Sequence, residues 1–177
     1  MSLTFVPIDE QGAEIAKTEA LFCSAFPEEE RPPFEWMLRW KHDTFYAVYE
    51  ENAFKGLVDL LLYGDLVYVF FLAVSSEFRN QGIGSKILEA ILARYPKERV
   101  FLLAEEVGEQ YADNLLRKRR LGFYGRNGFR DSGIKIVEFG VRYHLLIARG
   151  EVSKEEFRLV MQDLIGVEMA QKYYANI

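Results

Sequence analysis

The sequence predicts a mixed α/β fold in a single domain spanning residues 1–177, and three stretches carry that expectation. An uninterrupted apolar run from Leu66 to Val74 reads as a strand covered on both faces. It empties into a glycine-bearing turn, Arg79-Asn80-Gln81-Gly82-Ile83-Gly84-Ser85. A helix follows that sets Ile83, Ile87, Leu88, Ile91 and Leu92 on one side before Pro96 ends it. Val100 to Ala104 is a second short apolar strand, which completes a strand–turn–helix–strand unit with its turn at the carboxyl end of the first strand.

The remaining elements follow in order. Thr4 to Ile8 reads as an opening strand, and Gln11 to Ala25 as a helix in which Ile15, Ala16, Ala20, Leu21 and Phe22 recur near helical spacing. Pro27 stops that helix, and Glu28 to Pro33 is a charged loop. Phe34 to Trp40 is a short helix, and the aromatic, partly alternating Thr44 to Tyr49 is a strand with a turn at Glu51-Asn52. The runs Gly56 to Tyr63 and Leu66 to Val74 are joined by Gly64-Asp65, a two-residue link with glycine first, as a type II′ hairpin requires. Asn114 to Tyr124 reads as a helix closed at Gly128, and Val137 to Ala148 as strand material hinged near Gly140. Ser153-Lys154-Glu155-Glu156 is a capping box opening a helix over about 153–166, with Phe157, Val160, Met161, Leu164 and Ile165 at helical spacing before Gly166. That helix has an apolar face to pack on the core or on a partner, a second copy of the chain included. No repeat, low-complexity tract or linker interrupts the chain.

Bulk composition excludes several function classes. Half of the residues are hydrophobic (50%), 15% are aromatic and 28% charged, which supplies ample core material and excludes disorder. A net charge of -5 argues against nucleic-acid binding, whose affinity comes from surplus Lys and Arg, and suits a cationic small substrate such as an amine. Cys23 is the only cysteine, so no intramolecular disulfide forms; it is expected as a buried thiol on the first helix. His42 and His144 lie far apart and outside any metal-ligand spacing, so no metal is expected. The N-terminus Met-Ser-Leu-Thr-Phe-Val-Pro lacks a basic leader and a signal-type apolar core. No window reaches the roughly 20 apolar residues of a membrane span, so the expected location is cytoplasmic, away from the membrane.

The turn at 79–85 carries the chemistry. The first N–H groups of a helix lack intrahelical partners and the macrodipole favours negative charge there, so a strand-to-helix turn with two glycines binds anions, phosphates above all. Two familiar phosphate loops do not fit. A Walker A loop needs a glycine where Arg79 stands and a lysine directly after Gly84, where Ser85 stands. The dinucleotide fingerprint needs a third glycine at Ile87. What remains is Arg-x-x-Gly-x-Gly. About forty residues later comes Leu121-Gly122-Phe123-Tyr124-Gly125-Arg126-Asn127-Gly128-Phe129, in which a helix ends at a glycine cap and the next strand begins at Phe129.

Together, in this order and separation, the two motifs resemble the acyl-CoA pyrophosphate loop and the Phe-Tyr-x-x-x-Gly-Phe signature of the GCN5-related N-acetyltransferase (GNAT) superfamily. The likeness covers roughly Gly56 to Phe129, with the termini matching by general pattern. It implies a central, mostly antiparallel twisted sheet flanked by helices, its strands splayed at the cofactor cleft to admit the pantetheine arm. On this chain the splayed strand is Phe70 to Val74, and the main-chain groups of Leu72, Ala73 and Val74 face the pantetheine. The Val74 N–H would polarise the thioester carbonyl. The N–H groups of Gln81, Gly82, Ile83, Gly84 and Ser85 would cradle the pyrophosphate, beside Arg79 and Asn80, the latter where many members have a small residue. Family members often have an asparagine upstream of the tyrosine at the cofactor; Asn114 takes that part here, ten residues ahead of Tyr124, a wider spacing than usual.

The implied reaction moves an acetyl group from acetyl-CoA, a co-substrate rather than a resident cofactor, to a primary amine of a small molecule or peptide. Attack is direct, since the chain offers no Cys–His or Ser–His pair at recognisable spacing for an acyl-enzyme. The resemblance makes Tyr124 the general acid. It places a carboxylate base after the Val100–Ala104 strand, where alternation favours Glu105 over Glu106 by setting it with Phe101 and Leu103. Solvated strand-end charges explain the two glutamates as well, and a solvated face is the default for the basic run Arg117-Lys118-Arg119-Arg120, with attraction for the CoA 3′-phosphate or an anionic substrate group as the sharper reading. A non-catalytic acyl-CoA sensor is the alternative. A phosphate-binding kinase lacks its Walker lysine and a cluster of magnesium carboxylates. Phe26, Phe34, Trp36 and Trp40 offer an apolar wall for the acceptor, or an ordinary core or dimer surface.

Overall fold

The computed structural model describes residues 2–8, 12–28, 31–39, 44–138 and 140–174. Trp40, His42 and the expected first turn of the opening helix at Gln11 lie outside the described residues. The elements are β1 (Thr4–Pro7), α1 (Ile15–Ala25), α2 (Phe34–Arg39), β2 (Phe45–Glu50), β3 (Ala53–Tyr63), β4 (Leu66–Val74), α3 (Ile83–Arg94), β5 (Arg99–Glu105), α4 (Asn114–Arg126), β6 (Arg130–Glu138), β7 (Val141–Ile147), α5 (Lys154–Ile165) and α6 (Val167–Tyr174). The strands form a seven-stranded sheet in the order β1-β2-β3-β4-β5-β7-β6. Its β1/β2, β2/β3, β5/β7 and β6/β7 pairs are antiparallel, so the expected mixed α/β, mostly antiparallel fold is present. By internal contacts the chain divides into two compact units: residues 1–61 with 69–94, and residues 62–68 with 95–177.

In the first unit, β2 and β3 are joined at Glu51 (φ 52°) and Asn52 (φ 63°). Positive φ at both central residues is the type I′ pattern, whose twist matches that of the flanking strands. The core of this unit is aromatic. Phe22 on α1 is fully buried and meets Phe26, Phe34, Phe45 and Phe71 with ring centroids 5.0–6.3 Å apart. Phe26 and Phe34 are therefore core residues, whereas Trp36 is 56% exposed. Cys23 corrects the sequence expectation: it is exposed, because it lies one residue beyond Phe22 and so about 100° around the helix from the buried face of Thr18, Leu21 and Phe22. It lines an open cavity of about 430 Å³ with Glu19, Glu28 and Arg31.

Only Gly64 of the Gly64-Asp65 link has positive φ (57°), as in a type II′ turn. In the second unit Asp65 grips Arg99 with both carboxylate oxygens, at 2.7 and 2.8 Å. The same guanidinium reaches Glu156 at 2.7 Å. Glu156 also accepts the Ser153 N–H, and its own N–H donates to Ser153 Oγ, so the capping box is formed. One arginine thus ties the β4 turn, the start of β5 and the N-terminus of α5. The C-terminal helix packs on the core of this unit: Phe157, fully buried, lies 6.0 Å from Tyr68 and 6.4 Å from Phe101, which stack on each other at 4.7 Å. A short helix not foreseen from sequence, α6, follows Gly166 (φ 85°) and buries Tyr174 against Phe157. Among the described residues no helix is long and apolar enough to cross a membrane.

Asp59 on β3 is buried opposite Phe45, and burial raises its carboxyl pKa to about 7. Its proton is held more tightly in the folded than in the unfolded chain. The stability it confers is therefore complete below the unfolded pKa near 4 and lost as pH rises through about 7. Asp59→Asn is expected to remove a loss of about 4 kcal/mol between pH 4 and pH 8. Urea melts of both proteins across that range measure it, and parallel pH profiles would refute it.

Candidate active site

The donor-side residues other than Asn114 lie in the first unit, on the segment from β4 to α3. β4 can end where it does because β3 comes unusually close. A Cβ on Gly56 would collide with the Ala73 carbonyl oxygen and lie 3.3 Å from the Val74 Cα. Directly beyond, the Ser75 N–H donates to the Lys55 carbonyl at 2.9 Å, and Lys55 Nζ sits 3.4 Å from the centre of the Phe78 ring. β3 therefore grips both the last residues of β4 and the 3-10 turn Ser76–Phe78 after it.

The turn is built on two left-handed residues, Asn80 (φ 62°) and Gly82 (φ 79°). Asparagine tolerates this region better than other side chains, which explains why it can stand where the family favours a small residue. Arg79 Nε donates back to the Val74 carbonyl at 3.2 Å and Gln81 Nε2 to the Glu77 carbonyl at 2.8 Å, so both side chains brace the turn. Lys86 N–H makes the opening helical bond to the Gly82 carbonyl, 3.1 Å. The N–H groups of Ile83, Gly84 and Ser85 precede that ladder and are the orphan donors of a helix N-terminus. Gly82 has open space where a Cβ would stand. Glu50, at the end of β2, holds Lys86 at 2.6 Å, and that bond keeps the Glu50 carboxyl below the usual range.

Glu105, at the end of β5, and Asn114 and Tyr124, at the start and in the last turn of α4, lie in the second unit. The Phe-Tyr-x-x-x-Gly-Phe segment is a Schellman cap. Phe129 N–H donates to the Tyr124 carbonyl at 3.1 Å, Gly128 N–H to the Gly125 carbonyl at 3.2 Å, and Gly128 is left-handed (φ 86°). The hydrophobic contact that accompanies such caps is the edge-on pair Tyr124–Phe129, centroids 6.2 Å apart, with Phe129 buried. The motif thus fixes the ring of Tyr124. Burial pushes its hydroxyl above the ordinary tyrosine range, Arg120 pulls it down and Glu105 raises it again. A hydroxyl held in its protonated form near neutrality is able to donate.

The basic run on α4 divides by face. Arg117 is buried and Lys118, Arg119 and Arg120 are exposed, but Arg117 and Arg120, one helical turn apart, both reach the same carboxylate. Glu105 meets Arg117 at 3.4 Å through one oxygen and Arg120 through the other. Arg117 is further held by Asp113 (2.7 Å), by the Glu106 carbonyl (3.2 Å) and by the Tyr111 ring (4.0 Å). Both oxygens of Glu105 are therefore engaged by guanidiniums. Glu106 is engaged apart from it, by Lys135 and the Tyr111 hydroxyl, each at 3.3 Å. Asn114 Oδ1 accepts the Gly108 N–H at 2.9 Å and so pins the loop ahead of α4. Sequence reasoning missed Arg120, although its position one helical turn before Tyr124 was legible. It also missed the need for glycine at position 56. Among the described residues no group of three or more His, Cys, Asp and Glu side chains is placed to hold a metal ion.

Comparison with known proteins decides what this arrangement belongs to. The acetyltransferase (GNAT) family matches residues 14–123. The chain belongs to that family. No curated protein sequence matches it. Among solved structures, a protein from Bacteroides thetaiotaomicron assigned to the same family superposes with a TM-score of 0.72 at 22% identity, over 93% of this chain and 99% of the other. Arabidopsis thaliana Naa50 in complex with the bisubstrate analogue CoA-Ac-MVNAL gives 0.62 at 16% identity, over 85% and 100%. A GNAT acetyltransferase from Elizabethkingia anophelis with acetyl-CoA bound gives 0.56 at 16% identity, over 84% and 99%. At these identities the likeness is one of fold: the GNAT sheet and its helices.

Because Gly56 lies against the GNAT strand that leads to the turn, Gly56→Ala is expected to cost at least about 2 kcal/mol in urea unfolding, as overpacking against backbone does. It should also displace the turn. Thermal stabilisation by CoA should fall in parallel, and wild-type stability with unchanged CoA response would refute the role of that close approach.

Proposed function

We propose that the protein is an N-acetyltransferase that moves the acetyl group of acetyl-CoA to a primary amine in a ternary complex. One observation carries the donor: a turn braced at Val74 and Glu77 that leaves the N–H groups at the start of α3 outside the helical ladder. These groups bind the pyrophosphate, with Arg79 and Asn80 at the turn's edge, and the main chain at Leu72, Ala73 and Val74 takes the pantetheine. The Elizabethkingia relative with acetyl-CoA bound supports this donor.

The chemistry follows from the GNAT motifs. The neutral amine attacks the thioester carbonyl carbon, whose oxygen the Val74 N–H polarises. Collapse breaks the C–S bond, and the sulfur leaves with the electron pair. Tyr124 gives its hydroxyl proton to that thiolate, forming the S–H bond of free CoA, and regains a proton from solvent. The substrate ammonium gives one proton to water to become that neutral amine, and the nitrogen gives up a second as the amide forms, with Glu105 as the carboxylate the motif scheme assigns to this transfer. The acceptor is an amine of a small molecule or a peptide; the peptide-bearing analogue in the Naa50 structure and the Gag peptide in a NatC complex structure support the peptide class. A non-catalytic acyl-CoA sensor would keep the turn and dispense with Tyr124.

Acetyl-CoA and CoA are expected to raise the Tm, about 2.7 kcal/mol of added stability at a hundredfold excess over Kd, and ATP at the same concentration is not. An equal response to ATP, or none to CoA, removes the donor assignment. In a thiol-release assay with an amine and peptide panel, Tyr124→Phe should lower kcat by about 10²-fold or more with little change in acetyl-CoA affinity. Full turnover by the variant removes the acid role.

A further inference from the structure

We propose that Arg120 sets the acid strength of Tyr124, and that Glu105 is the residue that positions Arg120 to do so. The inference rests on the reading of Tyr124 as the acid. Arg120 and Tyr124 are four residues apart on α4 and share a face. Arg120 is a long side chain, 43% exposed, that would sample many rotamers if unheld. Glu105 holds it from the end of β5, and Glu105 is itself fixed, its side chain only 12% exposed, by Arg117. Arg117 in turn is anchored at Asp113, at the Glu106 carbonyl and on the Tyr111 ring. The chain of contacts therefore runs from an immovable arginine, through a shared carboxylate, to a movable one beside the acid.

The chemistry gives this placement a use. As the leaving thiolate takes the proton, the Tyr124 O–H bond breaks, the S–H bond forms, and a negative charge appears on the phenolic oxygen. A guanidinium one helical turn away stabilises that charge, and the paired carboxylate keeps the acid from ionising at rest. The opposed influences of Arg120 and Glu105 on the hydroxyl agree with this division. The charged and titratable groups around it are Arg120 from α4, Glu105 from β5 and Tyr68 from β4; Glu105 faces Arg117 and Arg120 from α4 and lies opposite Tyr143 of β7. On this account Glu105 acts on Tyr124 through Arg120.

Fluorine NMR of the full-length protein carrying difluorotyrosine in place of Tyr124, whose hydroxyl is intrinsically more acidic and titrates in a range the fold tolerates, reads the effect directly. Arg120→Gln should raise the midpoint by about 0.5–1 pH unit, and Arg120→Lys should leave it near the parent value. In a Glu105→Gln background the Arg120→Gln shift should shrink by half or more, since an unheld arginine has less to lose. Where Glu105→Gln does not fold, Glu105→Asp, too short to keep both arginines, takes its place. An absent Arg120→Gln shift overturns the tuning role, and an equal shift in both backgrounds overturns the positioning role of Glu105. The titration needs no turnover. Full activity of Tyr124→Phe with these shifts present would sink the acid reading alone, and an inactive Tyr124→Phe without them would sink this inference alone.

Discussion

The donor turn depends on one steric constraint, the approach of the β3 backbone at Gly56 to the Ala73 carbonyl on β4. A side chain at position 56 would push the strands apart. With hydrogen there, the Lys55 carbonyl can take the Ser75 N–H, and the end of β4 and its exit are fixed together. From that fixed exit the turn is short and braced: Arg79 returns to Val74, Gln81 to Glu77, and the two left-handed residues Asn80 and Gly82 swing the chain into α3. Pre-organisation of this kind lowers the entropy lost when a flexible anion is bound.

Two helix ends do opposite jobs. α3 begins with donors ahead of its hydrogen-bond ladder, while Lys86, the cation in its first turn, is held by Glu50. α4 ends with its Tyr124 and Gly125 carbonyls taken by the cap at Phe129 and Gly128. The first end starts with donors outside its own ladder; the second is capped so that an aromatic ring stays put. The same pattern of glycine serves both, because a left-handed residue is needed wherever the chain leaves or enters a helix abruptly.

Electrostatics organises the second unit through arginines shared between carboxylates. Arg99 gathers Asp65 and Glu156 and so couples a hairpin turn to the cap of α5. Arg117 and Arg120 share Glu105, which splits a basic run on paper into two arginines paired with one carboxylate and two exposed residues between them. The largely desolvated Glu105 carboxylate has a guanidinium on each oxygen, and the buried Arg117 takes Asp113 as a second partner.

Much of this was legible in the residues themselves. The apolar run at Leu66–Val74, the glycine turn, the capping box at Ser153 and the Phe-Tyr-x-x-x-Gly-Phe cap are local devices, written over a few neighbouring positions, and they determined the fold class, the family and the donor-side candidates. What only the tertiary structure decided depends on residues far apart in the chain. Cys23 faces outward because of where Phe22 finds its partners; Asp59 has its pKa raised because β3 is buried; Gly56 is required because of a carbonyl seventeen residues away. Glu105, which alternation alone aimed at a cleft, is gripped by Arg117 and Arg120. Local patterns fix backbone conformation because they act through neighbouring dihedrals and hydrogen bonds. Charge partnerships and burial depend on chain segments that meet only after folding, so the sequence could name the carboxylate but not its occupation.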